Sequence, residues 1–241
     1  MRDRDNFSLD AALAMARERH AQANPRSRAA RDRAARAMPG GNTRSVLHFD
    51  PFPLYMARGE AADVWDADGH RYADFVGEFS AGLYGHSDPV IKKAIVEALE
   101  DGLVLAAPTE REARLAAEVR SRFPSIDLLR FCNSGTEANL MAITTAMAVT
   151  ARRKLMVFRE AYHGGVLVYA GGSGPLNVPF ETVLADFNDI EGSVATIRAH
   201  ADDLAAVIVE PILGAAGNIP AEPAFLRALR DETVSCGAVL I

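Results

Sequence analysis

The sequence predicts an α/β fold organised around a mostly parallel sheet. Apolar runs and amphipathic segments alternate from about residue 128 onward, and this alternation is typical of strand–helix–strand units joined by right-handed crossovers. Two of the apolar runs, residues 154–158 and 205–209, have the length and composition of buried strands. Of the 241 residues, 49% are hydrophobic and 24% are charged, which is ordinary for a soluble globular protein.

The N-terminal part has a different pattern. The residues before Pro39 are rich in Arg and Ala and favour helix, and Pro39-Gly40-Gly41 predicts the end of this helical stretch. From there to about Phe75 the pattern is short and extended, with a hairpin-type turn predicted at Asp66–Gly69. We therefore predict an N-terminal helix and small-domain segment over residues 1–75.

Residues 76–241 are predicted to form the larger domain. Its first elements are amphipathic helices over Ile91–Leu99 and Glu110–Arg122. The apolar stretch Leu128–Cys132 is predicted to be the first strand of the parallel sheet. Ala238–Ile241, at the end of the sequence, is predicted to be another strand.

Composition disfavours several classes of function. The formal net charge is −6, and this mildly acidic composition does not predict nucleic-acid binding. No apolar run approaches the length of a membrane span. His and Cys residues do not stand at the spacings of metal ligands, so no metal site is predicted. Asp3, Asp5 and Glu18 argue against a transit peptide. We expect a cytoplasmic protein that acts on a small molecule and has neither nucleic acid nor a membrane as partner.

The segment Asn133-Ser134-Gly135-Thr136-Glu137-Ala138 predicts an anion site. A strand, a short Gly/Ser/Thr turn and a helix start leave free amides at the positive end of the helix dipole. Gly135 allows the backbone to approach closely, while the hydroxyls of Ser134 and Thr136 add donors. The plain alternative is an ordinary capping box, with Ser134 as the N-cap and Glu137 three residues on.

Polar and aromatic side chains follow the two predicted strands that come next. Tyr162 and His163 come shortly after residues 154–158, and Glu210 comes directly after residues 205–209. Ligands of open α/β sheets bind at the carboxyl ends of the strands, where an aromatic and an imidazole suit a flat ring. Alternatively, Tyr162 is a core tyrosine, His163 fixes its turn and Glu210 caps the next turn of the chain.

Four motifs in order resemble the class III (subgroup II) aminotransferases, which are fold-type I enzymes that use pyridoxal 5′-phosphate. They are the segment from Pro39 to His86, NSGTEANLMA, AYHGG and VIVEPILGAAGNIPA. The first of them is similar to the glutamate-1-semialdehyde 2,1-aminomutase branch and its β-amino-acid transaminase relatives. The resemblance implies a fold-type I structure, of which this sequence would form the N-terminal lobe and the first half of the large domain. It implies amino-group transfer on an amino acid or amino aldehyde that bears a carboxylate. It also implies a homodimer in the full-length parent.

The resemblance also implies roles for individual residues. Matched to the family's motifs, the cofactor-binding residues are expected to be Ser134, Gly135, Thr136, Tyr162, His163 and Glu210. The first three match the phosphate-binding turn, and Tyr162 matches the aromatic that stacks on the pyridine ring. Glu210 fits a carboxylate near the pyridine, and His163 either contacts the cofactor or fixes the turn.

Arg44 is the candidate for binding the substrate. It lies in an otherwise uncharged segment, Asn42–Leu47, with apolar residues beside it, and a guanidinium there can offer a bidentate fork to a carboxylate. The alternative is a surface arginine whose stem covers apolar neighbours. Because this segment lines the substrate side in the family, we predict the carboxylate role.

One departure from the family pattern concerns the residues that do the chemistry. In the family, the strand matched by Ala238–Ile241 continues into an Asp-Glu pair, and the lysine that forms the Schiff base comes later. The sequence has lysines only at 92, 93 and 154, and none matches that position. We therefore expect no catalytic residue among these 241 residues and no activity from this chain alone. The competing hypothesis is a non-catalytic truncated product, or half of a split enzyme that binds a partner chain.

Overall fold

The computed structural model describes residues 8–241. The chain divides into two compact units, one that ends at Thr109 and one that runs from Glu110 to Ile241. The boundary predicted at residue 75 is a different one: it separates the family's small-domain segment from its large-domain segment. It stays a prediction.

The first unit consists of helices and a small antiparallel sheet. Its elements are α1 (Leu9–Ala23), α2 (Pro25–Ala34), β1 (Met56–Glu60), β2 (Asp63–Asp66), β3 (Arg71–Ala73) and α3 (Pro89–Glu100), with short 3₁₀ turns at Pro39–Gly41, Ser45–Leu47 and Gly77–Ser80. The predicted N-terminal helical stretch is divided at Asn24-Pro25, because Pro25 lacks an N–H and starts a new helix. The helix predicted over Ile91–Leu99 is confirmed as α3.

The predicted hairpin turn is confirmed between β2 and β3, which pair antiparallel. The buried carboxylate of Asp66 organises it, accepting hydrogen bonds from the N–H of Asp68 at 3.0 Å, the N–H of His70 at 2.8 Å and the hydroxyl of Tyr72 at 2.9 Å. Burial by itself raises the pKa of the Asp66 carboxyl, but the hydrogen bonds from His70 and Tyr72 outweigh it and hold the pKa below its usual value. Burial, together with Asp66, raises the pKa of Tyr72 to about 12.

The second unit alternates helices and strands, as predicted. Its elements are α4 (Glu110–Arg122), α5 (Gly135–Thr150), β4 (Lys154–Phe158), β5 (Glu181–Ala185), α6 (Ile190–Ala199), β6 (Leu204–Val207), β7 (Ile212–Leu213), β8 (Ile219–Pro220), α7 (Pro223–Cys236) and β9 (Val239–Leu240). Four of the strands form a parallel sheet in the order β5-β4-β6-β9, while β7 and β8 form a small antiparallel pair. This is the mostly parallel sheet that the sequence predicts.

Both faces of the parallel sheet are covered. Strand β4 shows why, because its successive side chains point to opposite faces. Met156 and Phe158 pack with residues of α6 and α7 in one core, whereas Leu155 and Val157 pack with residues of α5 in the other. These four side chains are at most 1% exposed, so β4 is a buried inner strand of the sheet.

The prediction of a strand at Leu128–Cys132 is wrong. This segment has no strand pairing, and Leu128 is 91% exposed. A strand needs a partner for its N–H and C=O groups, and within residues 8–241 this segment is paired with no strand.

Neither a membrane span nor a metal cluster is present in the described part of the chain. Among residues 8–241, no helix is both long and apolar enough to cross a membrane. The same residues contain no group of three or more His, Cys, Asp or Glu side chains placed to hold a metal ion.

Candidate functional site

Helix α5 begins at Gly135, and Ser134 is its N-cap. The Ser134 hydroxyl accepts a hydrogen bond from the N–H of Glu137 at 3.1 Å, and the Glu137 carboxylate accepts one from the N–H of Asn133 at 2.8 Å. The capping box is therefore present. It leaves the anion site open, because within residues 8–241 the N–H groups of Gly135 and Thr136 have no acceptor.

The space above the helix start is accessible. A Cβ added to Gly135 would meet no atom within 4 Å, so a ligand can approach the two free amides closely. These amides lie at the positive end of the dipole of a helix of 16 residues. Ser134 and Thr136 use their hydroxyl oxygens as acceptors within the fold, which leaves each hydroxyl proton available for an oxyanion. The helix start can thus offer two N–H and two O–H donors.

A turn beyond the end of β4 is packed directly against this helix start. The N–H of Gly165 donates to Thr136 Oγ1 at 3.1 Å. Gly164 has a φ of +127°, and a Cβ at this position would stand 2.3 Å from Thr136 Oγ1 and 2.7 Å from Thr136 Cα. Only glycine accommodates that backbone conformation and that approach. The two segments, 29 residues apart at their hydrogen-bonded residues, therefore form one site.

Tyr162 presents its ring beside this junction. Its side chain is 49% exposed, and among residues 8–241 its ring makes no aromatic contact and its hydroxyl no hydrogen bond. A core tyrosine, the alternative for this residue, is therefore excluded. A half-exposed aromatic at the carboxyl side of a central strand suits stacking on a planar ligand.

The Glu210 carboxylate binds two backbone amides. Oε1 accepts from the N–H of Tyr162 at 2.9 Å, and Oε2 accepts from the N–H of Gly214 at 3.1 Å. The bond to Gly214 caps the next turn of the chain, which is the alternative role considered for Glu210 from the sequence. Both oxygens are thus engaged by the chain itself, and the predicted place of Glu210 near a cofactor ring stays a prediction.

His163 lies under the same turn and is 5% exposed. Its burial lowers the pKa of the imidazole, although the negative charge of Glu210 acts in the opposite direction. Nε2 is buried and has no hydrogen-bond partner among residues 8–241. The backbone carbonyl oxygen of His163 accepts a hydrogen bond from the Asn139 side-chain amide at 2.8 Å.

The structure therefore brings together Ser134, Gly135, Thr136, Tyr162, His163 and Glu210, the six residues predicted to bind the cofactor. Gly164 and Asn139 were not predicted to belong to this site. The glycine pair that contains Gly164 predicts a turn, and an asparagine near a helix start predicts only a turn or helix-start hydrogen bond. The partner of Asn139, 24 residues away in the chain, could not be predicted.

Arg44 belongs to the first unit. Its guanidinium is paired with the carboxylate of Glu78 and stands 5.6 Å from the centroid of the Phe79 ring. The arginine thus already pairs with a carboxylate, through one nitrogen, Nη1. Its role toward a substrate stays a prediction.

Lys154, the lysine of the second unit, is remote from the turn at Tyr162 along its strand. It is the first residue of β4, while the turn comes after the last residue of that strand. Its ammonium group is bound by Asp203 at 2.5 Å and by His200 at 3.2 Å. Lys154 is therefore not an amine of this site.

Comparison with known proteins identifies the family. The model of the family Aminotransferase class-III matches residues 47–241, a range that includes the helix start, the turn and Glu210. This chain belongs to the class-III aminotransferases. Among curated class-III relatives, it is 50% identical over 234 residues to a beta-phenylalanine transaminase of Variovorax paradoxus, covering 97% of this chain and 54% of the relative. It is 40% identical over 225 residues to a glutamate-1-semialdehyde 2,1-aminomutase of Thermodesulfovibrio yellowstonii, covering 86% of this chain and 53% of the relative.

Solved structures confirm the predicted fold. A beta-phenylalanine aminotransferase from Variovorax paradoxus matches with a TM-score of 0.93 and 50% identity, covering 97% of this chain and 54% of that one. A structure described as a transaminase with PLP bound matches with a TM-score of 0.84 and 36% identity, covering 90% of this chain and 54% of that one. The chain thus has the α/β fold of the PLP-dependent transaminases, and it spans about half the length of the curated relatives it matches.

Proposed function

We propose that the full-length protein containing this sequence transfers amino groups with pyridoxal phosphate as cofactor. The observation that supports this most directly is the junction between the α5 helix start and the Tyr162 turn, where Gly165 donates to Thr136. The junction places an anion site and a half-exposed aromatic ring in one rigid arrangement. A cofactor with a phosphate at one end and a planar ring at the other requires both.

The residues of the site fit this cofactor. The amides of Gly135 and Thr136 and the hydroxyls of Ser134 and Thr136 would hold the phosphate, and the Tyr162 ring would cover the pyridine. Nε2 of His163 is buried, so this imidazole would contact the cofactor only after a movement of the turn; otherwise His163 supports the turn from within. When bound, pyridoxal phosphate supplies an electron sink for the carbon that bears the substrate's amine.

We propose β-amino acids such as β-phenylalanine as the amino substrate. The support is the 50% identity to a beta-phenylalanine transaminase together with the exposed guanidinium of Arg44. Arg44 would bind the substrate carboxylate in exchange for Glu78. A glutamate-1-semialdehyde aminomutase activity is the alternative supported by the second relative. A homodimer in the cytoplasm is the state proposed for the full-length protein.

A second candidate function concerns the 241-residue polypeptide itself: a non-catalytic half that associates with a complementary chain. The observation in its favour is a groove of about 430 Å³ whose lining includes Arg130, Cys132, Met141, Val239 and Ile241. The groove lies beside β9, which pairs only with β6 in the described part of the chain. An open sheet edge next to an apolar groove invites another strand. Without a complementary chain the open edge should pair with other copies, so analytical ultracentrifugation of this polypeptide should show self-association, whereas a stable monomer with a cooperative melt would contradict the proposal.

The proposed cofactor site is tested by adding charge at the helix start. Gly135→Asp in the full-length protein should weaken pyridoxal phosphate binding on the order of tenfold relative to Gly135→Asn, because only the carboxylate repels the phosphate. Both side chains enter open space, so the asparagine variant controls for size. Dissociation constants come from absorbance titration. Equal constants for the two variants would place the phosphate elsewhere.

The 241-residue polypeptide is expected to form no site-specific covalent bond to the cofactor. Lys154 lies at the opposite end of β4 and is held by Asp203, while Lys92 and Lys93 belong to α3 of the first unit. After incubation with pyridoxal phosphate and borohydride reduction, peptide mapping should find no single lysine labelled in preference to the others. One stoichiometrically labelled lysine together with transaminase turnover would contradict the expectation.

A further inference from the structure

The hydrogen bonds that hold the turn around Tyr162 are made by its backbone and not by the tyrosine side chain. The side chain has no hydrogen bond and no aromatic contact within residues 8–241. The backbone, by contrast, is bound on several sides. The N–H of Tyr162 donates to Glu210 and the N–H of Gly165 donates to Thr136, while the turn closes on itself through the N–H of His163 and the carbonyl of Leu167 at 2.9 Å.

Asn139 adds a side-chain contact to this turn. Its side-chain amide donates at 2.8 Å to the carbonyl of His163, the residue directly after Tyr162. Because His163 is 5% exposed, this carbonyl depends on the fold for its hydrogen bond, and loss of the donor would leave it unpaired.

Asn139 and Thr136 lie three residues apart on α5, so their side chains lie on the same face of the helix. The helix that presents the phosphate donors at its first turn therefore also holds the turn that carries the aromatic ring. The separation between the two ends of the site is fixed by one rigid element.

From this arrangement we infer that Asn139 is a positioning residue, which sets the Tyr162 ring against the pyridine of a cofactor whose phosphate is held by the same helix. The inference rests on the proposed function, since it assigns Asn139 a role toward pyridoxal phosphate. Asn139 itself does not touch the cofactor; it acts through the carbonyl of His163.

The test compares Asn139→Leu with wild type in the full-length protein. Leucine is similar in shape to asparagine but has no donor. The dissociation constant for pyridoxal phosphate should rise about five- to tenfold, as expected for the loss of one hydrogen bond. The induced circular dichroism of the bound cofactor should weaken, because the Tyr162 ring would no longer hold the pyridine ring in one orientation. The inhibition constant of inorganic phosphate against cofactor binding should stay within about twofold of the wild-type value, since the phosphate donors are intact.

Three further measurements separate positioning from simple destabilisation. Thr144→Val removes a hydroxyl that donates at 2.8 Å to the Leu140 carbonyl on the same helix, and it should leave the affinity and the dichroism unchanged. Asn139→Gln keeps a donor on a longer stem and should restore part of the dichroism, and it remains available if the leucine variant does not fold. Amide hydrogen exchange over residues 162–165 should be faster in Asn139→Leu even without cofactor.

The outcomes distinguish the inference from the proposed function. A wild-type protein that does not bind pyridoxal phosphate overturns the proposed function. A wild-type protein that binds it, with wild-type affinity, dichroism and exchange in Asn139→Leu, overturns the positioning role alone. Equal losses in Asn139→Leu and Thr144→Val also overturn it, because the effect would then be general weakening of α5.

Discussion

Gly164→Ala is expected to destabilise the protein by about 2–5 kcal/mol and to abolish detectable pyridoxal phosphate binding. The added Cβ would stand 2.3 Å from Thr136 Oγ1 and 2.7 Å from Thr136 Cα, in a backbone conformation with a φ of +127°. One methyl group thus causes both a positive-φ strain and an overpacked contact. Thr136 cannot move away without displacing the first turn of α5, which holds the phosphate donors.

The neighbouring glycine provides the control. Gly165→Ala places its Cβ where no atom lies within 4 Å, so the expected loss of stability is below about 1 kcal/mol. The two variants are compared by the urea midpoint of unfolding and by absorbance titration with pyridoxal phosphate. Similar behaviour of Gly164→Ala and Gly165→Ala would show that the close approach between the turn and the helix start does not exist.

Arg44→Ala is expected to lower kcat/KM for β-phenylalanine on the order of a hundredfold in the full-length protein. In the proposed complex the bound substrate shields the Arg44 guanidinium from water, and truncating one partner of such a desolvated pair costs roughly 2–5 kcal/mol. Most of the loss should appear in KM, and the spectrum of the bound cofactor should not change. Arg44→Lys should recover only part of the activity, since an ammonium keeps the charge but not the planar fork.

Two comparisons make the Arg44 result specific. The first is 1-phenylethylamine, which resembles β-phenylalanine without its carboxylate; its low reactivity should be the same in wild type and Arg44→Ala. The second is Arg58→Ala, which removes an exposed arginine paired with Glu60 at 3.2 Å in the same unit and should leave kcat/KM unchanged. If Arg44→Ala retains near wild-type kcat/KM for β-phenylalanine, the carboxylate is bound by another residue.

The local features of the site could be predicted because their causes are local in sequence. Ser134 caps a helix whose N3 residue is Glu137, and this spacing alone predicts a helix start with free amides. Tyr162 and Glu210 come after apolar runs that form central strands, and the carboxyl ends of parallel strands lie at one edge of the sheet. The hairpin at Asp66–Gly69 was likewise predicted from turn residues between two short strands.

The contacts that assemble the site could not be predicted, because they join distant parts of the chain. Asn139 binds a carbonyl 24 residues away and Glu210 binds the N–H of Tyr162, 48 residues away, and no spacing rule relates these pairs. The requirement for glycine at 164 depends on the three-dimensional approach of Thr136. The segment Leu128–Cys132 has the composition of a strand, but composition does not supply the neighbouring strand that pairing needs.

One binding comparison tests directly whether the start of α5 holds the phosphate of pyridoxal phosphate. Wild type and Thr136→Ala are titrated with pyridoxal phosphate and with pyridoxal, which lacks the phosphate. If the Thr136 hydroxyl donates to the phosphate, the variant loses about 1.5–3 kcal/mol of affinity for pyridoxal phosphate beyond any loss for pyridoxal. Thr136→Ser, which keeps the hydroxyl, should behave nearly as wild type. Equal losses for the two ligands would contradict the claim, because Thr136 would then act only through the hydrogen bond that it accepts from Gly165.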